Sequence, residues 1–274
     1  MFKTRNFTRG LLSAIVASMA LIALIGVSGT AQALTPAEIK AKGTLIVGVL
    51  TDFPPYNGLD KDQKPAGHDN DVAKLLADDL GVKLEMVPVT GPNRIPYLLT
   101  NRIDVLVAAL GINAERAKQV AFSNPYSTLD ILVMGPKDKV VKGPEDLPKY
   151  TVGVARAGSQ DTFLTAVAPK TTTIRRFDSD AISLQAIISG QVDLIGGSNI
   201  HLLMLNRDHP QLNIEKKFAL NSQGNGIGLR KEDIELVAYA NAFVAKIVAN
   251  GKLSEISQRW LNSPLGPLPE MPKF

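Results

Sequence analysis

Short β-rich segments that alternate with helical segments, in two successive series, constrain the fold of this chain more than any other feature. The apolar run Leu45–Leu50 predicts a buried strand, the apolar spacing within Asp69–Leu80 predicts a helix, and Leu84–Val89 predicts a second strand. The same order restarts with a predicted strand at Thr151–Ala155 and a predicted helix at Ser159–Val167. Strands joined by single helices pair in parallel through right-handed crossovers, so the sequence predicts two α/β units.

The last part of the chain has a different pattern. A short predicted strand at Gly226–Leu229 is followed by two amphipathic helices, Asp233–Ala249 and Leu253–Trp260. One strand and two helices bury too little apolar surface for a separate domain. We therefore expect them to return to the first α/β unit and complete it.

The first 33 residues have the layout of a secretory signal peptide. Three basic residues precede the apolar stretch Leu11–Val27, and the small-x-small sequence AQA ends at Ala33. This layout predicts a signal peptide over residues 1–33, cleaved after Ala33, and a periplasmic mature protein, with an uncleaved membrane anchor as the alternative. The chain has no cysteine, which excludes a lipid anchor and disulfide bonds. Stability must therefore come from a hydrophobic core.

The charge of the chain argues against a nucleic acid partner. Removing the signal peptide takes away three basic residues and no acidic one, which lowers the formal net charge from +4 to +1. His68, Asp69 and Asp71 do not have the spacing of metal ligands. We expect no metal, no cofactor and no nucleic acid, and we expect a monomer.

Six segments, taken in order, resemble the bacterial extracellular solute-binding proteins of family 3, which bind polar amino acids for ABC transporters. The resemblance covers Leu45 to Asn262 and is carried by GVLTDFPPY, GHDNDVAKLLADDLGVKLEMVPV, RIDVLVAALGINAERAKQVAFSNPY, EDLPKYTVGVARAGS, LQAIISGQVDLI and GIGLRKEDIELVAYANAF with GKLSEISQRWL. It implies the type II periplasmic-binding-protein fold, in which two α/β lobes joined by two crossover strands close over a ligand. Lobe 1 would comprise residues 34–130 and 222–274, lobe 2 residues 134–220, and the hinge strands would lie near 131–134 and 220–228.

The resemblance also assigns candidate ligand contacts. Arg116, in the run GINAER, matches the arginine that holds the ligand's α-carboxylate, which a planar guanidinium can bind with two hydrogen bonds. Ser159 matches the residue that meets this carboxylate from lobe 2 at a helix N-terminus. The alternatives are a surface helical arginine and an N-cap serine.

Three further positions follow from the same resemblance. Phe53 matches the aromatic residue that covers the ligand from lobe 1, with core packing as the alternative. Ala109 and Gly111 match positions that present backbone groups and a hydroxyl to the ligand. Because neither residue has a hydroxyl, only their backbone donors and carbonyls are left for this role.

Arg94 bears on which ligand is bound. The run Asn93-Arg94-Ile95-Pro96 resembles the glutamate/aspartate-binding branch, in which this arginine meets the ligand's second carboxylate. Leu50, however, stands where that branch has another arginine, and Arg94 could instead face solvent. Apart from this departure, the match at Arg94 implies an acidic amino acid as the preferred ligand.

Ser198 departs from the family pattern. The family has at this position an aspartate that pairs with the ligand's α-ammonium, and a buried ammonium without a carboxylate partner is costly. Either Asp52 or another acid takes over this role, or the ligand has no α-ammonium.

These features predict a transport receptor that delivers a small carboxylate-bearing solute to an ABC permease in the inner membrane. A ligand-dependent sensor with a signalling partner would use the same closed lobes. An enzyme similar to periplasmic cyclohexadienyl dehydratases is a further alternative. The expected cleft residues include no acid–base pair, so we expect a binding protein that is not an enzyme.

Overall fold

The computed structural model describes residues 33–274, so the predicted signal peptide, apart from Ala33, lies outside the described residues. The helices are α1 (Pro36–Lys42), α2 (His68–Leu80), α3 (Arg94–Leu99), α4 (Ala114–Ala117), α5 (Ser159–Val167), α6 (Asp180–Ile188), α7 (Asn199–Asp208), α8 (Ile234–Ala249) and α9 (Lys252–Leu261). The strands are β1 (Thr44–Val49), β2 (Gly58–Leu59), β3 (Pro65–Ala66), β4 (Lys83–Pro88), β5 (Val105–Leu106), β6 (Ala121–Phe122), β7 (Ser127–Pro136), β8 (Thr151–Ala155), β9 (Thr173–Phe177), β10 (Leu194–Ser198), β11 (Ile214–Asn225) and β12 (Gly228–Leu229). Two short 3-10 helices cover Pro144–Lys149 and Pro210–Leu212. Among the described helices, none has both the length and the apolar character needed to span a bilayer.

Two five-stranded sheets form the two predicted α/β lobes. The first sheet has the order β4-β1-β5-β12-β6, and the second has the order β11-β7-β10-β8-β9. Strand β1 pairs in parallel with β4 and β5, and β8 pairs in parallel with β9 and β10. Strand β12 lies between β5 and β6, so the last part of the chain belongs to the first sheet.

Strands β7 and β11 are the longest in the described chain and pair antiparallel, from Ser127 opposite Asn225 to Pro136 opposite Ile214. Both segments for which the sequence predicts a hinge touch these strands: residues 131–134 lie within β7, and 220–228 begin within β11. At its Asn225 end, β11 also contacts lobe 1 through a bridge to Gly111.

A buried ion pair fixes the chain where it returns to lobe 1. Arg230 Nη2 lies 2.8 Å from Asp233 Oδ2, and their side chains are 6% and 0% exposed. Arg230 Nη1 also donates to the carbonyls of Leu98 and Ile103, each at 3.1 Å. Asp233 Oδ1 accepts the backbone N–H of Leu34. The pair therefore joins the start of the described chain and the segment before α8 to the end of α3 and the residues that follow it.

Arg230→Met is expected to lower the free energy of unfolding by about 3–5 kcal/mol, because it leaves the Asp233 carboxylate buried without its cation. Chemical denaturation measures the loss. Arg207→Met is the matched control, since Arg207 is exposed and, within residues 33–274, pairs only with its neighbour Asp208. An equal effect of both substitutions would contradict a structural role for the buried pair.

Candidate ligand-binding site

A cavity lies between the two lobes, beside the crossing strands. The space there that is not filled by atoms, including the open mouth, is about 360 Å³. Its walls come from lobe 1, from the crossing strands and from lobe 2. The lining residues are Leu50, Phe53, Arg94 and Ala109 from lobe 1, Leu129, Ile131 and Gln223 from β7 and β11, and Gly158, Ser159, Gln160, Asp180, Ser198 and His201 from lobe 2.

The lobe 2 side chains reach the cavity because of where they stand in the fold. Ser159 begins α5 after β8, Asp180 begins α6 after β9, and Ser198 ends β10 just before α7. In α/β sheets, ligands bind outside the carboxyl ends of the parallel strands, where the following helices begin. The polar groups of lobe 2 therefore converge on one side of the cavity.

Arg116 lies behind the cavity wall and is buried. Its Nη1 donates to the Gly111 carbonyl at 2.8 Å and to Ser159 Oγ at 3.0 Å, and its Nη2 donates to the Ala157 carbonyl at 3.0 Å. Ser159 Oγ also accepts from Gln223 Nε2 at 2.7 Å. The structure thus brings the two residues assigned to the α-carboxylate into direct contact across the lobes.

Arg94 lines the cavity directly. It is 5% exposed, which excludes the alternative of a solvent-facing side chain. Its Nη1 donates to the Ala108 carbonyl at 2.9 Å, and its Nη2 donates to the Ala157 carbonyl at 3.3 Å. Arg94 and Arg116 of lobe 1 therefore both donate to one carbonyl of lobe 2, that of Ala157.

Neither guanidinium has a carboxylate partner. Among residues 33–274, no ion pair within 4.0 Å includes Arg94 or Arg116. Burial lowers the pKa of both groups, and the charge of Arg94 lowers the pKa of Arg116 further. Two buried cations without an ion-pair partner among the described residues are costly, although the more distant charges of Asp180 and Asp52 offset part of the cost at Arg94. An anionic ligand group would remove much of this cost.

Backbone groups at two predicted contacts are already used within the protein. The Ala109 N–H donates to Asp69 Oδ2 at 2.6 Å, so this donor is engaged within the protein, and its role toward a ligand stays a prediction. Ala109 has a φ of 45°, a left-handed conformation that turns the chain at the cavity wall. The Gly111 carbonyl accepts from Arg116, so Gly111 positions the guanidinium and does not line the cavity.

Phe53, Ser198 and Asp52 differ in how they meet the cavity. The Phe53 ring lines it and packs edge-on against the His201 ring at 4.9 Å. Ser198 also lines it, but its Oγ accepts the His201 N–H at 3.4 Å and caps α7. Asp52 is partly buried and does not line the cavity. Burial raises the pKa of Asp180 and lowers that of His201, and the negative charge of Asp52 adds to the first shift and opposes the second.

The structure adds an acid and a base that the sequence analysis missed. Asp180 Oδ1 accepts from Gln160 Nε2 at 2.8 Å and lies 3.8 Å from His201 Nε2. Burial raises the pKa of Asp180 and lowers the pKa of His201. The cleft residues expected from the sequence included no acid–base pair, and Asp180 and His201 are an acid and a base beyond that set. Both residues stand in the first turn of a helix that follows a sheet strand, and this position could have identified them.

Comparison with known proteins agrees with this architecture. The L-cystine-binding protein TcyJ of Escherichia coli (strain K12) is 28% identical, over 90% of this chain and 94% of its own length. A solved solute receptor for L-cysteine of Neisseria gonorrhoeae has a TM-score of 0.78 and 28% identity, and covers 83% of this chain and 94% of its own. The ancestral amino acid-binding protein AncCDT-1, described as a precursor of cyclohexadienyl dehydratase, has a TM-score of 0.74 and 30% identity, and covers 82% of this chain and 98% of its own.

A family model matches most of the chain. The match runs over residues 45–263 and therefore includes both lobes and every cavity-lining residue. The predicted resemblance and the two-lobed fold are confirmed. The chain belongs to the bacterial extracellular solute-binding proteins, family 3.

Proposed function

We propose that this chain is the substrate-binding component of an amino-acid ABC transporter and that it captures its ligand by closure of the two lobes. The observation that carries the proposal is the pair of buried guanidinium groups, Arg94 and Arg116, which have no carboxylate partner among the described residues at the cleft. The family and the relatives that bind L-cystine and L-cysteine support an amino acid as the ligand.

The contacts between the lobes suggest how closure depends on ligand. Arg116 of lobe 1 donates to Ser159 and Ala157 of lobe 2. A ligand carboxylate placed beside Ser159 would take over donors that now end on neutral oxygens. Charge-assisted hydrogen bonds are stronger than those between neutral groups. The ligand carboxylate accepts such bonds from both lobes only when the lobes are closed. That differential affinity favours the closed state, and the closed lobes would present the docking surface for the permease.

Arg94 supports a preference for acidic amino acids. It supplies a second buried guanidinium on the cavity wall itself, where the side-chain carboxylate of glutamate or aspartate could meet it. A neutral ligand would leave this cation without an ion-pair partner among the described residues. The expected order of affinity is therefore acidic amino acids first, neutral amino acids next, and lysine or arginine last.

A ligand screen tests both levels of the proposal. The purified protein, freed of bound solute by reversible unfolding, is melted with each standard amino acid, cystine, succinate or glutarate. At a concentration about 100 times Kd, a ligand adds about 2.7 kcal/mol of stability, which for a chain of this size raises Tm by about 5–10 °C. A preference for lysine or arginine would exclude the acidic ligand and leave the proposed transport function standing. No shift with any amino acid or dicarboxylate would exclude the transport proposal.

A second candidate function is enzymatic, and one observation favours it. The Asp180 carboxyl lines the cleft, and burial raises its pKa, which is the direction of shift that a general acid requires. AncCDT-1, described as a precursor of cyclohexadienyl dehydratase, shares this fold. Incubation with a cyclohexadienyl substrate and detection of the aromatic product tests this function. Turnover that Asp180→Asn removes would establish the enzyme.

A further inference from the structure

Asp180 is an acidic side chain that lines the cavity and, among the described residues, forms no ion pair with an arginine or a lysine. Its side chain is 19% exposed. It accepts from the neutral amide of Gln160 at 2.8 Å, and the only ion-pair contact within 4.0 Å among the described residues is with His201 at 3.8 Å. A carboxylate that is largely removed from water and held only by neutral donors lacks the compensation that buried charges normally require.

His201 does not supply that compensation. Its Nδ1 accepts the backbone N–H of Ser198 at 3.2 Å, which places the ring proton of the neutral form on Nε2. Burial lowers its pKa, so the ring is neutral at neutral pH. Its Nε2 is buried and has no hydrogen-bond partner. Asp180 and an unused polar atom of His201 thus lie together at the lobe 2 side of the cavity.

Ser198 cannot take an ammonium group in the way a carboxylate would. Its side chain carries no charge, and its Oγ accepts the His201 N–H at the start of α7. Asp52 does not line the cavity. Of the described acidic residues, Asp180 is the one on the cavity wall.

We propose that Asp180 binds the ammonium group of the ligand. The proposal deepens the function proposed above, on which it rests, and it identifies the ligand as a zwitterion with an amino group. Arg116, together with Ser159, then holds one carboxylate, while Asp180 holds the ammonium from α6. The ligand's ammonium group supplies Asp180 with a cationic partner, and its carboxylates supply Arg94 and Arg116 with anionic partners.

The charge pattern of the wall fits this assignment. Arg94 is a cation and Asp180 an anion, and both face the same cavity. The charge of Arg94 lowers the pKa of Asp180, and the charge of Asp52 raises it. The Asp180 charge at the first residue of α6 is also favoured by the helix dipole. Burial and the charge of Asp52 thus oppose the carboxylate form, while Arg94 and the helix dipole favour it, and a cationic ligand group would stabilise that form further.

A comparison of paired ligands isolates the ammonium contact. Calorimetry measures the affinity of wild type and Asp180→Asn for two pairs of ligands, glutamate with glutarate and glutamine with glutaramate. In each pair the second ligand lacks only the α-amino group of the first. Asn keeps the acceptor for Gln160 and removes the charge. Wild type is expected to bind whichever of glutamate and glutamine has the higher affinity about 10- to 100-fold more tightly than the analogue without the amino group. Asp180→Asn is expected to lose most of that difference. Affinity for the analogue itself is expected to change by less than about threefold.

Asp178→Asn is the matched control, because this nearby carboxylate is 80% exposed and pairs with Arg156 at the surface. It is expected to bind every ligand as wild type does. An unchanged amino-acid preference in Asp180→Asn would overturn the inference and leave the transport function intact. Failure of wild type to bind any amino acid would overturn both. Unchanged binding with lost turnover of a cyclohexadienyl substrate would replace the ammonium role by an acid–base role.

The melting temperature of the ligand-free protein gives a second readout. Removing a carboxylate that has no cation should raise Tm of Asp180→Asn above that of wild type at neutral pH. The gain should shrink as pH falls, because the raised pKa of Asp180 lets wild type neutralise the same group by protonation. A lower Tm at neutral pH would show that Asp180 stabilises the fold by itself and would overturn the inference.

Discussion

Arg116→Ala is expected to abolish ligand binding while the protein stays folded. The substitution removes the guanidinium that joins Gly111, Ser159 and Ala157. A hydrogen bond to a charged group contributes about 1.5–3 kcal/mol, so loss of a two-bond contact to a carboxylate lowers affinity by about 100-fold or more. The fold tolerates the change because the removed group is itself a buried cation without a carboxylate partner. Calorimetry gives the affinity, and circular dichroism gives the folded fraction.

Two variants make the Arg116 result specific. Arg116→Lys keeps the charge but cannot form the planar two-bond contact, and it is expected to fall between wild type and alanine. Arg102→Ala removes an exposed arginine of lobe 1 that stacks on Tyr97 and should bind as wild type does. Affinity within about threefold of wild type in Arg116→Ala would show that the carboxylate is held elsewhere in the cleft.

The repeated alternation of strands and helices was enough to predict the two lobes, because periodicity is a local property of the sequence. Helices α1 and α7 were missed. The sequence TPAE at the start of α1 carries a capping box, in which Thr35 accepts the Glu38 N–H, yet this helix has only seven residues and depends on burial of Ile39. Helix α7 is capped by Ser198, a residue that the sequence analysis interpreted only as a ligand position.

The site was predicted in part, for a physical reason. Arg94 and Ser159 carry local motifs that resemble a known family, so their positions could be carried over one by one. Asp180 and His201 carry no such motif and stand on different helices. They meet because the sheet order places β9 and β10 on either side of β8, and this order cannot be read from the spacing of residues along the chain.

Gly67 is the position of the second large expected effect, because a side chain there would disturb both the stability of the fold and the cleft. Its φ is 146°, a region that is nearly restricted to glycine. A Cβ at this position would lie 2.3 Å from the Tyr56 carbonyl oxygen and 2.9 Å from that of Pro55. Those same carbonyls accept the Asp69 and His68 N–H groups at the start of α2. Gly67 therefore lets the loop that carries Phe53 pack against the helix that carries Asp69.

Gly67→Ala is expected to lower the free energy of unfolding by about 3 kcal/mol or more, since backbone strain and overpacking each cost about 1–3 kcal/mol. Ligand affinity should fall as well, because Phe53 lines the cavity and Asp69 holds the Ala109 N–H at its wall. Gly81→Ala is the matched control. Gly81 also has a positive φ, 72°, but nothing lies within 4 Å of its Cβ, so strain alone should cost about 1 kcal/mol and leave binding unchanged. Denaturation and calorimetry on both variants separate the close packing from the strain, and equal losses in the two would contradict a packing role for Gly67.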